Sequence, residues 1–323
     1  MLAYTERGII EMSRILYNFR QLFRRFVLSR QFMTIFLFML LMGGGLINLL
    51  NSNKQYENIE TAILYLNKHI YTADDKKWMH FSIDDSIEVF EDITDKQYNS
   101  IFENKELKEL KELHDSYGMV VSLYFFYEKD GFDLSMVTDK YASEFSDNSD
   151  WLKVGFHSYD ENTNYALEKG EKGIKDYNLV MTELLRITGS SECIDHVPRI
   201  HLYAGNEDVI RSWSGAIERP RGYLSADDDR NIYLLNSNQS KYVAQLDYYY
   251  DIWNDIYFVP TDIRLEKTDN LGLDLMQKSD NHYVIIFTHE WALDSNMYKK
   301  IEECCRWAQE REYLWNYFEN TLE

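Results

Sequence analysis

Side chains able to do chemistry stand just past the apolar runs of this chain. Met79–Ile83 ends in the adjacent carboxylates Asp84 and Asp85, and Leu152–Phe156 ends in His157. Gly222–Ala226 ends in Asp227, Tyr283–Thr288 ends in His289, and Arg199 heads a further run. Two neighbouring aspartates at a strand end repel each other and lose hydration when buried. A fold keeps such a pair when a metal ion or an arginine shares the site. The Asp84-Asp85-Ser86 sequence has a plainer reading as a helix start, a side-chain oxygen capping a helix that begins near Ile87.

The elements that must position these groups alternate in type. Strand patterns over 79–84, 119–127, 152–157, 199–203, 222–227 and 283–289 are separated by helical patterns over 104–115, 134–145, 175–187 and 207–213. A final helix is expected from 296 to about 318, and the tyrosine-rich tract 231–265 reads as short strands and loops. Strands alternating with crossovers of this length predict an α/β fold with parallel pairing. In such folds functional groups collect at the carboxyl ends of the strands, which is where these residues stand.

The chain has 323 residues, 45% of them hydrophobic and 15% aromatic, with only 3 prolines and 14 glycines. That is ample for a core and argues against disorder and low-complexity linkers. A formal charge of −20 speaks against nucleic acid as a partner. The charge is uneven: six arginines against two glutamates give residues 1–30 a net of +4, so the remaining 293 residues carry −24. Cys193, Cys304 and Cys305 have no Cys-x-x-Cys spacing, so a thiolate zinc site or a disulfide scaffold is not expected.

Residues 31–53 contain no charge and are apolar over most of their length, enough for a helix across a bilayer. The preceding arginines place the N-terminus in the cytoplasm. The expected organisation is a basic amphipathic segment over 1–30, a transmembrane signal anchor over 31–53, a stalk or capping segment over 54–77 and an extracytoplasmic domain over 78–323. Residues 1–53 would then contact membrane lipid, with the arginines at the inner leaflet.

The order of the strand endings resembles the polysaccharide deacetylase family over roughly residues 78–295. Ser82-Ile83-Asp84-Asp85-Ser86 is similar to its Thr-Phe-Asp-Asp-Gly motif. His157-Ser158-Tyr159-Asp160-Glu161 is similar to its His-Ser/Thr-x-x-His motif, with Glu161 where the second histidine stands. Arg199-Ile200-His201-Leu202-Tyr203 keeps the arginine of the third motif, Ser225–Asp229 keeps acids but not the tryptophan of the fourth, and Phe287-Thr288-His289 matches the fifth. The resemblance implies a distorted (β/α) barrel that removes acetyl groups from an N- or O-acetylated sugar of an envelope or surface glycan. It implies Asp84 as general base, Asp85, His157 and Glu161 as ligands of a divalent metal, Arg199 as the residue orienting Asp84, His289 as general acid and Asp227 as its partner.

Zinc is the first expectation for the metal, and a second carboxylate in the ligand set would also admit manganese. Without a third ligand the domain would instead be a non-catalytic sugar-binding or assembly protein. His201 is an alternative ligand, although a histidine on a barrel strand is more often packed and hydrogen-bonded. Trp291, just past His289, is the tryptophan placed to stack on a sugar ring. The Asp227-Asp228-Asp229 run is either a calcium site or solvated loop charge.

Overall fold

The computed structural model describes residues 76–228, 232–251 and 254–322. The expected segments 1–30 and 31–53, and nearly all of 54–77, lie outside the described residues, as do Asp229 and Trp253. Among the described residues no helix is long and apolar enough to cross a membrane.

The central strand is β1, Lys77–Ser86. Its odd-numbered residues Met79, Phe81 and Ile83 and its even-numbered residues His80, Ser82 and Asp84 are all buried, so both faces are covered. Period-two alternation therefore separates an apolar face from a polar one rather than inside from outside. β2 (Val121–Phe126) and β3 (Leu152–Ser158) follow on one side of β1 in parallel register. The short strand Tyr313–Trp315 pairs with Lys77–Met79, ahead of the point where β2 begins.

From β3 the backbone pairing continues by a parallel bridge between Val154 and Ile194. The carbonyls of His196 and Pro198 then accept from Arg221 N–H at 2.7 Å and Leu224 N–H at 3.1 Å. That brings in β4 (Gly222–Leu224), which pairs in parallel with β5 (Ile256–Val259). β5 runs on into β6 (Ile263–Arg264), and β6 pairs in parallel with β7 (Tyr283–His289). β7 closes on β1, with Trp78 opposite Tyr283 through to Asp84 opposite His289. Backbone hydrogen bonds thus pass round a ring of parallel segments. Tyr124, Val197, Leu224, Val259 and Ile285 come from five stations of that ring and pack in one buried cluster with Phe318.

Helices cover the outer face. Asn104 caps Lys105–Tyr117 through Leu107 N–H at 3.1 Å, and the helix buries Leu107, Leu110 and Leu113 before ending at Gly118. Gly118 has φ of +70°, a conformation that costs glycine little. Among the described residues, Gly170–Thr188 and Ser295–Glu310 are the other long helices, and Cys304 and Cys305 are buried packing residues in the latter.

Four sequence expectations change. The region 134–145 is a turn at Leu134–Met136 and a short helix at Ala142–Ser146, because Thr138 Oγ1 accepts from Lys140 N–H and diverts the backbone between them. The last helix stops at Glu310, and the aromatic run Tyr313–Trp315 pairs with β1 instead. The strand expected over 222–227 ends at Leu224. The strand expected over 199–203 is replaced by a single 3-10 turn at His201–Tyr203, in which Leu202 and Tyr203 have φ of 62° and 58°.

Candidate active site

β1 delivers two carboxylates in different directions. The β1–β2 register slips between Ile83 and Ser86, and Asp85 takes a left-handed φ of 59°. That bulge lets adjacent residues serve one site, at the cost of a strained backbone of the kind that collects at functional positions. Neither aspartate caps the following helix. The first N–H groups of Glu88–Lys96 bond instead to the Glu290 carboxylate, from Ile87 at 2.9 Å, Glu88 at 2.8 Å and Val89 at 2.9 Å.

Asp84 is fully buried against Arg199, whose Nη1 donates to Asp84 Oδ1 at 2.8 Å and to Ser82 Oγ at 2.8 Å. Arg199 is itself fixed by Ser225 O at 2.9 Å from Nε and Thr261 Oγ1 at 2.9 Å from Nη2, and it lies over the Phe287 ring. The charge-assisted pair leaves Asp84 Oδ2 without a hydrogen-bond partner.

Asp85 meets two histidines. His157 Nε2 lies 3.0 Å from Asp85 Oδ1, and His201 Nδ1 lies 3.6 Å from the same oxygen. The remaining nitrogen of each ring faces a carbonyl: His157 Nδ1 and Arg199 O are 2.6 Å apart, and His201 Nε2 and Glu161 O are 3.0 Å apart. A carbonyl cannot donate, so those nitrogens carry the protons. His157 Nε2 and His201 Nδ1, 3.3 Å apart, therefore both turn lone pairs towards Asp85. Three acceptors within 4.8 Å of one another form a site for positive charge, and one carboxylate with two imidazoles is a donor set that zinc accepts. The electrostatics agree. Burial would raise the Asp85 carboxyl, but the two histidines draw it well below the carboxylate range. Burial would lower His157, but where no ion is held a proton on Nε2 would hydrogen-bond Asp85, and that bond and the Asp84 charge raise it.

The structure brings His201, not Glu161, to this cluster. Asp160 Oδ1 accepts from Asn162 N–H at 2.9 Å, Thr163 N–H at 2.7 Å and Thr163 Oγ1 at 2.8 Å, which closes a tight turn after β3. The turn leaves the Glu161 side chain exposed and directs its carbonyl to His201. His201 reaches the site from the strained 3-10 turn described above.

His289 stands opposite Asp84 in the β1–β7 register. Its Nδ1 is 2.5 Å from Glu266 Oε1, and its Nε2 is 4.0 Å from Asp85 Oδ2. Glu266 is also held by Thr288 Oγ1 at 3.0 Å and Arg264 Nε at 2.5 Å. Burial would raise Glu266, but His289 and Arg264 outweigh it and hold the carboxyl down to about 2. Glu266 thus occupies the place expected for Asp227. Asp227 faces Lys267 at 3.6 Å. Glu266 follows the two-residue strand β6, too short to stand out in a sequence, although a polar group closing an apolar run is the same signal that marks Asp84 and His157.

No family model and no curated protein match the chain by sequence. Solved structures similar to it include a peptidoglycan N-acetylglucosamine deacetylase, at 10% identity over 76% of this chain and 88% of that one, with a TM-score of 0.39. A family 4 acetyl xylan esterase from Clostridium thermocellum, in complex with a cobalt ion, is similar at 10% identity over 74% of this chain and 87% of that one, with a TM-score of 0.41.

Proposed function

We propose that this protein is a metal-dependent hydrolase that removes acetyl groups from an N- or O-acetylated sugar of a cell-envelope or surface glycan. The observation that carries the reading is the convergence of three acceptor atoms from Asp85, His157 and His201 between the Arg199-held Asp84 and the Glu266-held His289. Asp85, His157 and His201 would hold the ion. A divalent cation bound there polarises an acyl carbonyl and makes a water molecule more acidic.

The other residues move protons. Asp84 Oδ2, free of partners while Arg199 holds Oδ1, takes a proton from water as its oxygen bonds to the acyl carbon. His289 Nε2 gives a proton to the sugar nitrogen or oxygen as the bond from the acyl carbon to that atom breaks. Glu266 keeps the Nδ1–H of His289 in place, so that Nε2 is the nitrogen that exchanges protons. The products are acetate and a free amine or hydroxyl, and proton exchange with solvent restores Asp84 and His289. Trp291, exposed beside His289, supplies a flat face for a sugar ring.

The ring of backbone hydrogen bonds and the cluster inside it support reading the sheet as a distorted (β/α) barrel. The uncharged stretch 31–53 and the arginines before it support a single-pass membrane anchor through which residues 1–53 contact lipid, with this domain outside the cytoplasm. The full chain, supplied with zinc, should release acetate from N-acetylglucosamine oligomers or acetylated xylan. Chelator should abolish that release, and Asp84→Asn should lower it by roughly 10²- to 10⁴-fold. A zinc-loaded protein that releases no acetate from either glycan contradicts the reading.

A further inference from the structure

One side chain at this site is held without burial. Trp291 is 58% exposed, and among the described tryptophans it alone is mostly in solvent. Its position is nevertheless specific: Nε1 donates to Asp85 Oδ2 at 3.1 Å, and the indole lies 5.2 Å from the His289 ring at 31°. The 3-10 turn Glu290–Ala292 that carries it is pinned, because the Glu290 carboxylate accepts the three N–H groups that follow the Asp85 bulge.

We propose that Trp291 is a positioning residue that fixes the Asp85 carboxylate, committing Oδ2 to the indole N–H so that Oδ1 faces His157 and His201. The proposal rests on the reading of those three residues as a metal site. Two groups compete for one carboxylate oxygen. Asp85 Oδ2 is 4.0 Å from His289 Nε2, close enough for the two groups to form a direct ion pair after a small rotation of the carboxylate. Such a pair would turn Asp85 away from the other two histidines and would occupy the nitrogen needed for proton transfer. A neutral donor on Oδ2 blocks it without adding charge. Outer hydrogen bonds of this kind orient ligands and are typically worth about 10- to 100-fold in metal affinity.

Phenylalanine at this position keeps an aromatic face and removes only the N–H. Metal-free full chain, wild type and Trp291→Phe, is titrated with Zn²⁺ against a chromophoric chelator, with melting temperature and tryptophan emission recorded alongside. The proposal expects Trp291→Phe to bind Zn²⁺ about 10- to 100-fold more weakly, while the metal-free proteins melt together. It also expects the zinc-induced change in wild-type emission to shrink in the variant. Equal zinc affinity in the two proteins overturns the proposal, and so does a variant whose weaker binding is matched by a lower metal-free melting temperature. A wild-type protein that binds no Zn²⁺ sinks the underlying metal reading instead, an outcome distinct from both.

Discussion

Each group proposed to move a proton is one of a pair whose second member sets its geometry, and the sequence exposes the two members unequally. Asp84, His157 and His289 are visible because each closes an apolar run that must be a strand. The partner of His289 is not visible: Glu266 and Asp227 are both acids near strand ends, and only the fold shows which one reaches Nδ1. Glu266→Gln should lower kcat and kcat/KM by about 10- to 100-fold, because Gln cannot hold the Nδ1–H of His289 through a charge-assisted bond. Asp227→Asn should leave both unchanged. Equal losses in the two variants would restore Asp227 to the site. Arg199 was legible through the resemblance alone, which pairs it with Asp84, and the two groups meet at 2.8 Å.

Elements decide what a motif spacing cannot. The resemblance pairs His157 with Glu161 as ligands, but Asp160 closes a turn in the interval and the Glu161 side chain faces solvent. The vacated place goes to His201, on a turn with two consecutive left-handed residues that no propensity would predict. The helix after β1 is similarly capped from a distance. Glu290→Ala would leave the N–H groups of Ile87, Glu88 and Val89 unbonded at a buried helix start, and should destabilise the protein by about 2 kcal/mol. Denaturant unfolding of the two proteins measures this, and a change near zero would mean that solvent replaces the cap. The elements themselves were mostly legible from period and composition. The exceptions include β6, too short to show a period, the expected strand over 199–203, which is a turn, the end of the last helix, and the region 134–145, where a threonine side chain interrupts a helical pattern.

Across the whole molecule, the polar face of β1 is buried together with apolar neighbours, and titration should report it. His80 lies on β1 among Ser122, Asp195 and Tyr317. Burial, aided by the charges of Arg199 and Lys153 and opposed by Asp195, pushes its pKa down from 6.5 to about 4. A histidine depressed on folding contributes stability that is full above pH 6.5 and is lost as pH falls towards 4. The expected loss is about 2 kcal/mol between pH 7 and 5, and His80→Gln should lack it. An identical pH dependence in both proteins would contradict this. The net charge of −20 has its own consequence: rates on anionic glycans should rise with salt as repulsion is screened, whereas rates on neutral chitin oligomers should not. Neither effect is visible in a motif, since one depends on burial and the other on the sum of the chain.

The central claim is that Asp85, His157 and His201 hold a divalent ion. Metal content of the full chain after zinc loading and desalting, compared among wild type, His201→Ala and Glu161→Ala, tests it most directly. Wild type and Glu161→Ala should hold about one zinc per chain, and His201→Ala should lose the metal. Retention of zinc by His201→Ala together with its loss from Glu161→Ala would contradict the account and return the third ligand to Glu161.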